Sequence, residues 1–96
     1  MIILRPEAEN DIQQAYKWYS SIQAKLGIRF IKEIERIFNS IEINPQMYHK
    51  VLADLRRAFC KKFPYAIYYK TEKSVITIIA VLHQRRNPIE WEKRIF

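Results

Sequence analysis

One glycine and one cysteine stand in this chain of 96 residues. A single glycine cannot build a Walker loop or a dinucleotide fingerprint, so no glycine-rich phosphate cradle and no nucleotide cofactor are expected. The lone Cys60 cannot close an internal disulfide, and a reducing cytoplasm suits it best. His49 and His83 lie far apart and complete no zinc spacing with Cys60, so no metal is expected either. No apolar run approaches the ~18 residues of a membrane span. Met1-Ile-Ile-Leu passes at once into Arg5-Pro6-Glu7, which leaves no room for the apolar region of a signal peptide. The expectation is a cytoplasmic protein without cofactor or membrane contact.

What the chain does have is cations and apolar side chains. Seventeen Lys and Arg face ten Asp and Glu, a formal charge of +7 with a pI near 9.7. Such an excess speeds encounter with nucleic acid, ribosome or an acidic protein, and it says nothing about fold. Hydrophobic residues make up 49% and aromatics 14%, ample for a packed core and too much for a disordered tail. The length fits a single domain, residues 1–96.

Ile2 to Arg5 reads as a short strand stopped by Pro6, whose fixed φ and missing N–H suit the first position of a helix. Ala8, Ile12, Ala15, Tyr19 and Ile22 then recur at helical steps, with Glu7, Glu9 and Asp11 placing negative charge in the first turns, where the helix dipole favours it. Gly27 falls where that helix must turn back, so the hairpin turn is predicted there. Phe30, Ile31, Ile34, Ile37, Phe38 and Ile41 continue a second helix, ended by Asn44-Pro45. From Leu55 onward the composition turns β-branched and aromatic. Leu55 to Lys61, Tyr65 to Thr71 and Ser74 to Leu82 are joined by short connections, the pattern of an antiparallel meander. Ile76, Ile78, Ala80 and Leu82 alternate with Val75, Thr77, Ile79 and Val81, so the last strand is apolar on both faces and central. After Asn87-Pro88, residues 89–95 can form one or two helical turns carrying Trp91. The predicted fold is α+β: an N-terminal strand, a helical hairpin packed on a twisted antiparallel sheet of about four strands, and a short C-terminal helix.

The candidate site is a cationic set, Arg56, Arg57, Lys61, Lys62, His83, Arg85 and Arg86, which the meander can gather along one sheet edge to meet phosphate or carboxylate. Metal-free RNA cleavage needs a base, an acid and cations for the phosphorane, and general acid-base steps each contribute roughly 10²- to 10⁴-fold. His83 with Arg85 could serve, but a strand-end histidine beside a rim of binding arginines is the simpler reading. Cys60 with His83 as a nucleophile pair is weaker still, since Cys60 lies among apolar strand residues as filler. Tyr65, Tyr68 and Tyr69 could stack on bases, although core packing explains them without a ligand. Trp18 falls off the first helix's stripe and reads as peripheral core.

The ordered set Ala8, Asp11-Ile12, Tyr19, Gly27, Phe30, Ile34, Pro45, Arg56-Arg57, Phe63-Pro64-Tyr65, Tyr69, Val81, His83, Arg85-Arg86, Pro88 and Trp91 resembles the RelE/ParE toxin superfamily, particularly its ParE branch. The resemblance covers nearly the whole chain. It implies a toxin of a type II toxin-antitoxin system, encoded beside an acidic antitoxin that wraps it and forms a hetero-oligomer with it. RelE-like members cut mRNA on the ribosome, whereas ParE-like members poison DNA gyrase. Set against the RelE nuclease without gaps from Asp54 onward, two strand lysines fall at Arg57 and Phe59, and the next-strand arginine falls at Ala66. The final-strand arginine falls at Gln84 and the C-terminal tyrosine at Glu90. Only Arg57 keeps the chemistry. The resemblance therefore implies a non-enzymatic gyrase binder acting through Arg56, Arg57, Lys61, Lys62, His83, Arg85, Arg86 and Trp91. The alternative is a ribosome-dependent endoribonuclease with His83, Arg57 and Arg85 at the scissile phosphate. A third reading is a decayed toxin that only binds its antitoxin.

Overall fold

In the computed structural model, which describes residues 1–85 and 92–94, two helices cover one face of a five-stranded mixed sheet. The chain runs β1 (Ile2–Leu4), α1 (Pro6–Ile22), α2 (Ala24–Ile43), β2 (Lys50–Leu52), β3 (Leu55–Phe59), β4 (Tyr65–Glu72) and β5 (Val75–His83). Residues 92–94 add a helical turn. The strand order is β1-β5-β4-β3-β2, with β1 parallel to β5 and every other pair antiparallel. The predicted class holds, with one more strand than expected. β2 is only three residues long, and no alternation can be read in so short a run.

Pro6 opens α1 as expected, with Glu7 and Glu9 in its first turn. The turn between the helices is not at Gly27. It falls at Gln23, whose extended backbone ends one helix and begins the next. Gly27 lies buried inside α2, and a Cβ built on it would meet Ser20 Oγ at 1.9 Å and Tyr16 at 3.1 Å. The glycine lets the two helix backbones approach. Because the hairpin turns early, Ile22 at the end of α1 is left exposed rather than buried.

With no glycine at hand, the two tight hairpins use L-residues at positive φ: Ala53 (48°) between β2 and β3, and Lys73 (56°) between β4 and β5. Each pays the left-handed penalty of Cβ against carbonyl.

The core divides at the sheet. Phe30, Ile34, Ile37 and Ile41 of α2 meet Ile67, Tyr69, Ile78 and Val81 on the helix side. Leu55, Ala66, Tyr68, Ile79, Ala80 and Leu82 form a second buried cluster on the other side. The expected alternation along β5 breaks at Ile79, where Tyr68 pairs with Ala80 and Tyr69 with Ile78. This extra residue is a β-bulge, and it moves Val81 to the helix side and Ala80 and Leu82 away from it.

Candidate functional site

β1 covers β5 only as far as Ile78, whose carbonyl takes the Arg5 N–H at 3.0 Å. Beyond it the edge of β5 needs other partners. The Asp11 carboxylate on α1 supplies one, accepting the Val81 N–H at 2.9 Å. Arg94 closes the arrangement by donating to both Asp11 oxygens, at 2.6 and 3.0 Å, and to Ile79 O at 3.4 Å. Arg5 in turn donates to the Arg94 carbonyl. Asp11, Val81 and Arg94 line a cleft of about 430 Å³ with Gln14, Trp18, Tyr65 and His83. Trp18 is 62% exposed here, not peripheral core.

His83 ends β5 opposite Tyr65, its ring edge-on at 5.3 Å. Tyr65 packs on Tyr19 and Phe30, which puts this pair on the helix side. The Nδ1 of His83 accepts the Arg85 N–H at 3.1 Å, and Arg85 itself is exposed in the turn that follows. Arg57 lies elsewhere. Along β3, Leu55 belongs to the far cluster and Ala58 to the helix-side one, so by the two-residue period Arg57 and Phe59 point away from the helices. The Arg57 guanidinium sits 4.6 Å above the exposed Phe59 ring. Arg57 and His83 thus lie on opposite faces of the sheet.

Arg56 has a structural task. Its guanidinium donates to Gln46 O at 3.2 Å and Tyr48 O at 2.6 Å, pinning the segment that leads into β2. Tyr69 helps from below by donating its hydroxyl to Pro45 O at 2.7 Å, and burial pushes that phenol up to about 12. Lys61 and Lys62 are exposed on the turn before β4, while their backbone N–H groups donate to Glu33 Oε2 at 2.7 and 3.3 Å. Glu33 is 4% exposed and also receives a two-pronged bond from Arg36, both contacts at 3.0 Å. Arg36 above all, with the two backbone donors, holds the Glu33 carboxyl at about 2 against burial. Cys60 beside it is buried, and desolvation with the Glu33 charge pushes its thiol up to about 12. At that value the thiol is no nucleophile. Arg86 and Trp91 lie outside the described residues.

Of the expected set, the fold brings Lys61, Lys62, His83 and Arg85 to one end of the sheet, where Gln84 N–H bonds Pro64 O at 2.8 Å. Arg56 and Arg57 sit farther along β3, on opposite faces. The sequence reading missed two carboxylates, Asp11 and Glu33, because each acts on backbone far away in the chain. It also missed a cation row on α2, Lys25, Arg29, Lys32 and Arg36, all exposed. Its steps of four, three and four are legible by the same periodicity that located the helix.

A helical hairpin on a mixed five-stranded sheet, with Lys61, Lys62, His83 and Arg85 at one end of it, defines an α+β architecture. The chain belongs to the ParE toxin family of type II toxin-antitoxin systems: the family described as "ParE toxin of type II toxin-antitoxin system, parDE" matches residues 2–88. Among solved structures it is similar to a chain of the "Chromosomal ParDE TA system from P. aeruginosa", with a TM-score of 0.63 and 12% identity over 85% of this chain and 92% of that one. At that identity the likeness speaks for the fold alone. No curated protein matches the chain.

Proposed function

We propose that this protein is a growth-arresting toxin that acts by binding DNA gyrase rather than by cutting RNA, and that a cognate antitoxin neutralises it. The observation that carries this reading is the placement of Arg57 and His83 on opposite faces of the sheet. A metal-free nuclease needs its base and its charge stabiliser around one phosphate. Here the strand cation that matches the RelE pattern, Arg57, is separated from His83, the histidine of the nuclease reading, by the thickness of the sheet. The family match over residues 2–88 favours the same branch. Lys61, Lys62 and Arg85, exposed at one end of the sheet, suit a target surface that is acidic. The acidic antitoxin expected for such a toxin suits the net charge of +7.

The test is pulse-labelling of DNA and protein synthesis in the minutes after tightly controlled induction without antitoxin. DNA synthesis is expected to fall first, with signs of DNA damage. Protein synthesis stopping first overturns the gyrase reading in favour of mRNA cleavage. Reversing the charge at Arg85 and Arg86 is expected to weaken the toxin while antitoxin binding survives.

A further inference from the structure

The geometry points to a second basic surface, the α2 row Lys25-Arg29-Lys32-Arg36 with Lys62 beside it, as a contact for the phosphate backbone of duplex nucleic acid. It holds whether or not gyrase is the target. At 3.6 residues per turn, steps of four, three and four keep all four α2 cations within about 60° of arc, in a row ~16 Å long. All four are exposed. Lys62 reaches the same place from the β3–β4 turn, because Glu33 ties that turn to the helix, and Arg29, Lys32, Arg36 and Lys62 line one cleft of about 480 Å³.

Charge balance decides what this surface attracts. The single carboxylate in the cleft, Glu33, is buried and already shared between Arg36 and two backbone N–H groups. Lys25, Arg29, Lys32 and Lys62 have no ion-pair partner among the described residues. Four uncompensated cations therefore stand on a rigid helix and the turn docked to it. A duplex carries a phosphate charge for each ~1.7 Å of axis, so ~16 Å of it presents about ten, and a straight row of cations can lie against them without rearrangement. An acidic amphipathic peptide is the competing occupant, and it binds by burying an apolar face. Only two apolar side chains line the cleft, Leu26, half-buried, and Phe63, already buried in the aromatic cluster, against the four cations Arg29, Lys32, Arg36 and Lys62.

The test uses the purified full chain and a fluorescent duplex DNA of about 20 base pairs, with binding followed by anisotropy across a salt series. The variant is Lys25→Gln/Arg29→Gln/Lys32→Gln. Its control is Lys50→Gln/Lys70→Gln/Lys73→Gln, which removes the same charge from β2 and from the β4–β5 hairpin. The α2 variant is expected to bind at least about tenfold more weakly near 100 mM salt, with the log-log salt slope reduced by about 3, while the control keeps most of its affinity. Matching thermal melts of the three proteins confirm that folding is unchanged. Equal losses in both variants overturn the proposal, since only net charge would then matter. An unchanged α2 variant overturns it as well. If the α2 variant keeps its DNA affinity but loses affinity for polyglutamate, the row serves an acidic protein, and the nucleic-acid assignment fails. Repeating the series with duplex RNA of the same length tells which nucleic acid the row prefers.

Discussion

Asp11 and Arg94 form a two-pronged ion pair between the first helix and the last turn of the described chain, with N–O distances of 2.6 and 3.0 Å. The pair also replaces the strand that β5 lacks, since Asp11 takes the Val81 N–H and Arg94 reaches the Ile79 carbonyl. Removing Asp11 leaves the Val81 N–H without its acceptor and takes the two-pronged ion pair from Arg94. Asp11→Ala is expected to cost about 2–3 kcal/mol in chemical denaturation, and the Val81 amide is expected to exchange faster. A double-mutant cycle with Arg94→Gln checks the coupling, expected at about 1 kcal/mol or more. Additive losses would mean that the two side chains act independently.

Glu33 should make stability depend on acid. Its folded value of about 2 lies below the ordinary 4.5, so the unfolded chain binds the proton more readily. The stabilisation is fully present above about pH 4.5 and is lost as pH falls through about 2. Allowing for the exposed side of Arg36, about 2 kcal/mol is at stake. Urea unfolding at neutral pH and near pH 3 should show a loss in the wild type that Glu33→Gln, already destabilised, shows far less.

Gly27 and Ser20 should be coupled. Alanine is the better helix former by about 1 kcal/mol, yet its Cβ would fall 1.9 Å from Ser20 Oγ. Crowding of this kind costs about 1–3 kcal/mol, so Gly27→Ala is expected to lower stability on balance. Removing the hydroxyl should relieve it. Ser20 Oγ is buried without a hydrogen bond, so Ser20→Ala alone should be close to neutral, and the double variant should be more stable than Gly27→Ala alone. Thermal denaturation of the three variants decides it.

The two-layer fold was legible because its signals are local. Pro6, the stripe from Phe30 to Ile41 and the β-branched run after Leu55 each declare an element within a few residues. What escaped depends on contacts between distant segments. Gly27 looks the same in sequence whether it serves a turn or a close helix approach, and only the docking of α1 on α2 separates the two. A bulge at Ile79 cannot be read from a strand that is apolar on both faces, because shifting the phase exchanges one apolar residue for another. The same holds for the site. The cations were found by type, but Arg56 turned out to hold the loop before β2, and Arg57 and His83 were parted by strand phase. Asp11 reads as a helix-dipole residue until Val81 and Arg94 are seen around it.

The hairpin turns should be improvable for a reason rooted in the scarcity of glycine. Lys73 holds a φ of 56° and Ala53 one of 48°, and an L-residue there pays roughly 1–2 kcal/mol that glycine avoids. Glycine gives back part of this through the greater freedom of its unfolded chain. Lys73→Gly and Ala53→Gly are therefore each expected to stabilise by about 0.5–1 kcal/mol. Both side chains are exposed, so little packing is lost. The sites lie in separate hairpins, one joining β2 to β3 and the other β4 to β5, so the gains should add within about 0.5 kcal/mol. Urea midpoints of the two single variants and the double measure this directly. A Lys73→Gly variant less stable than the wild type would show that the β4–β5 turn does not depend on relief of left-handed strain, and that the lysine contributes there through its own side chain.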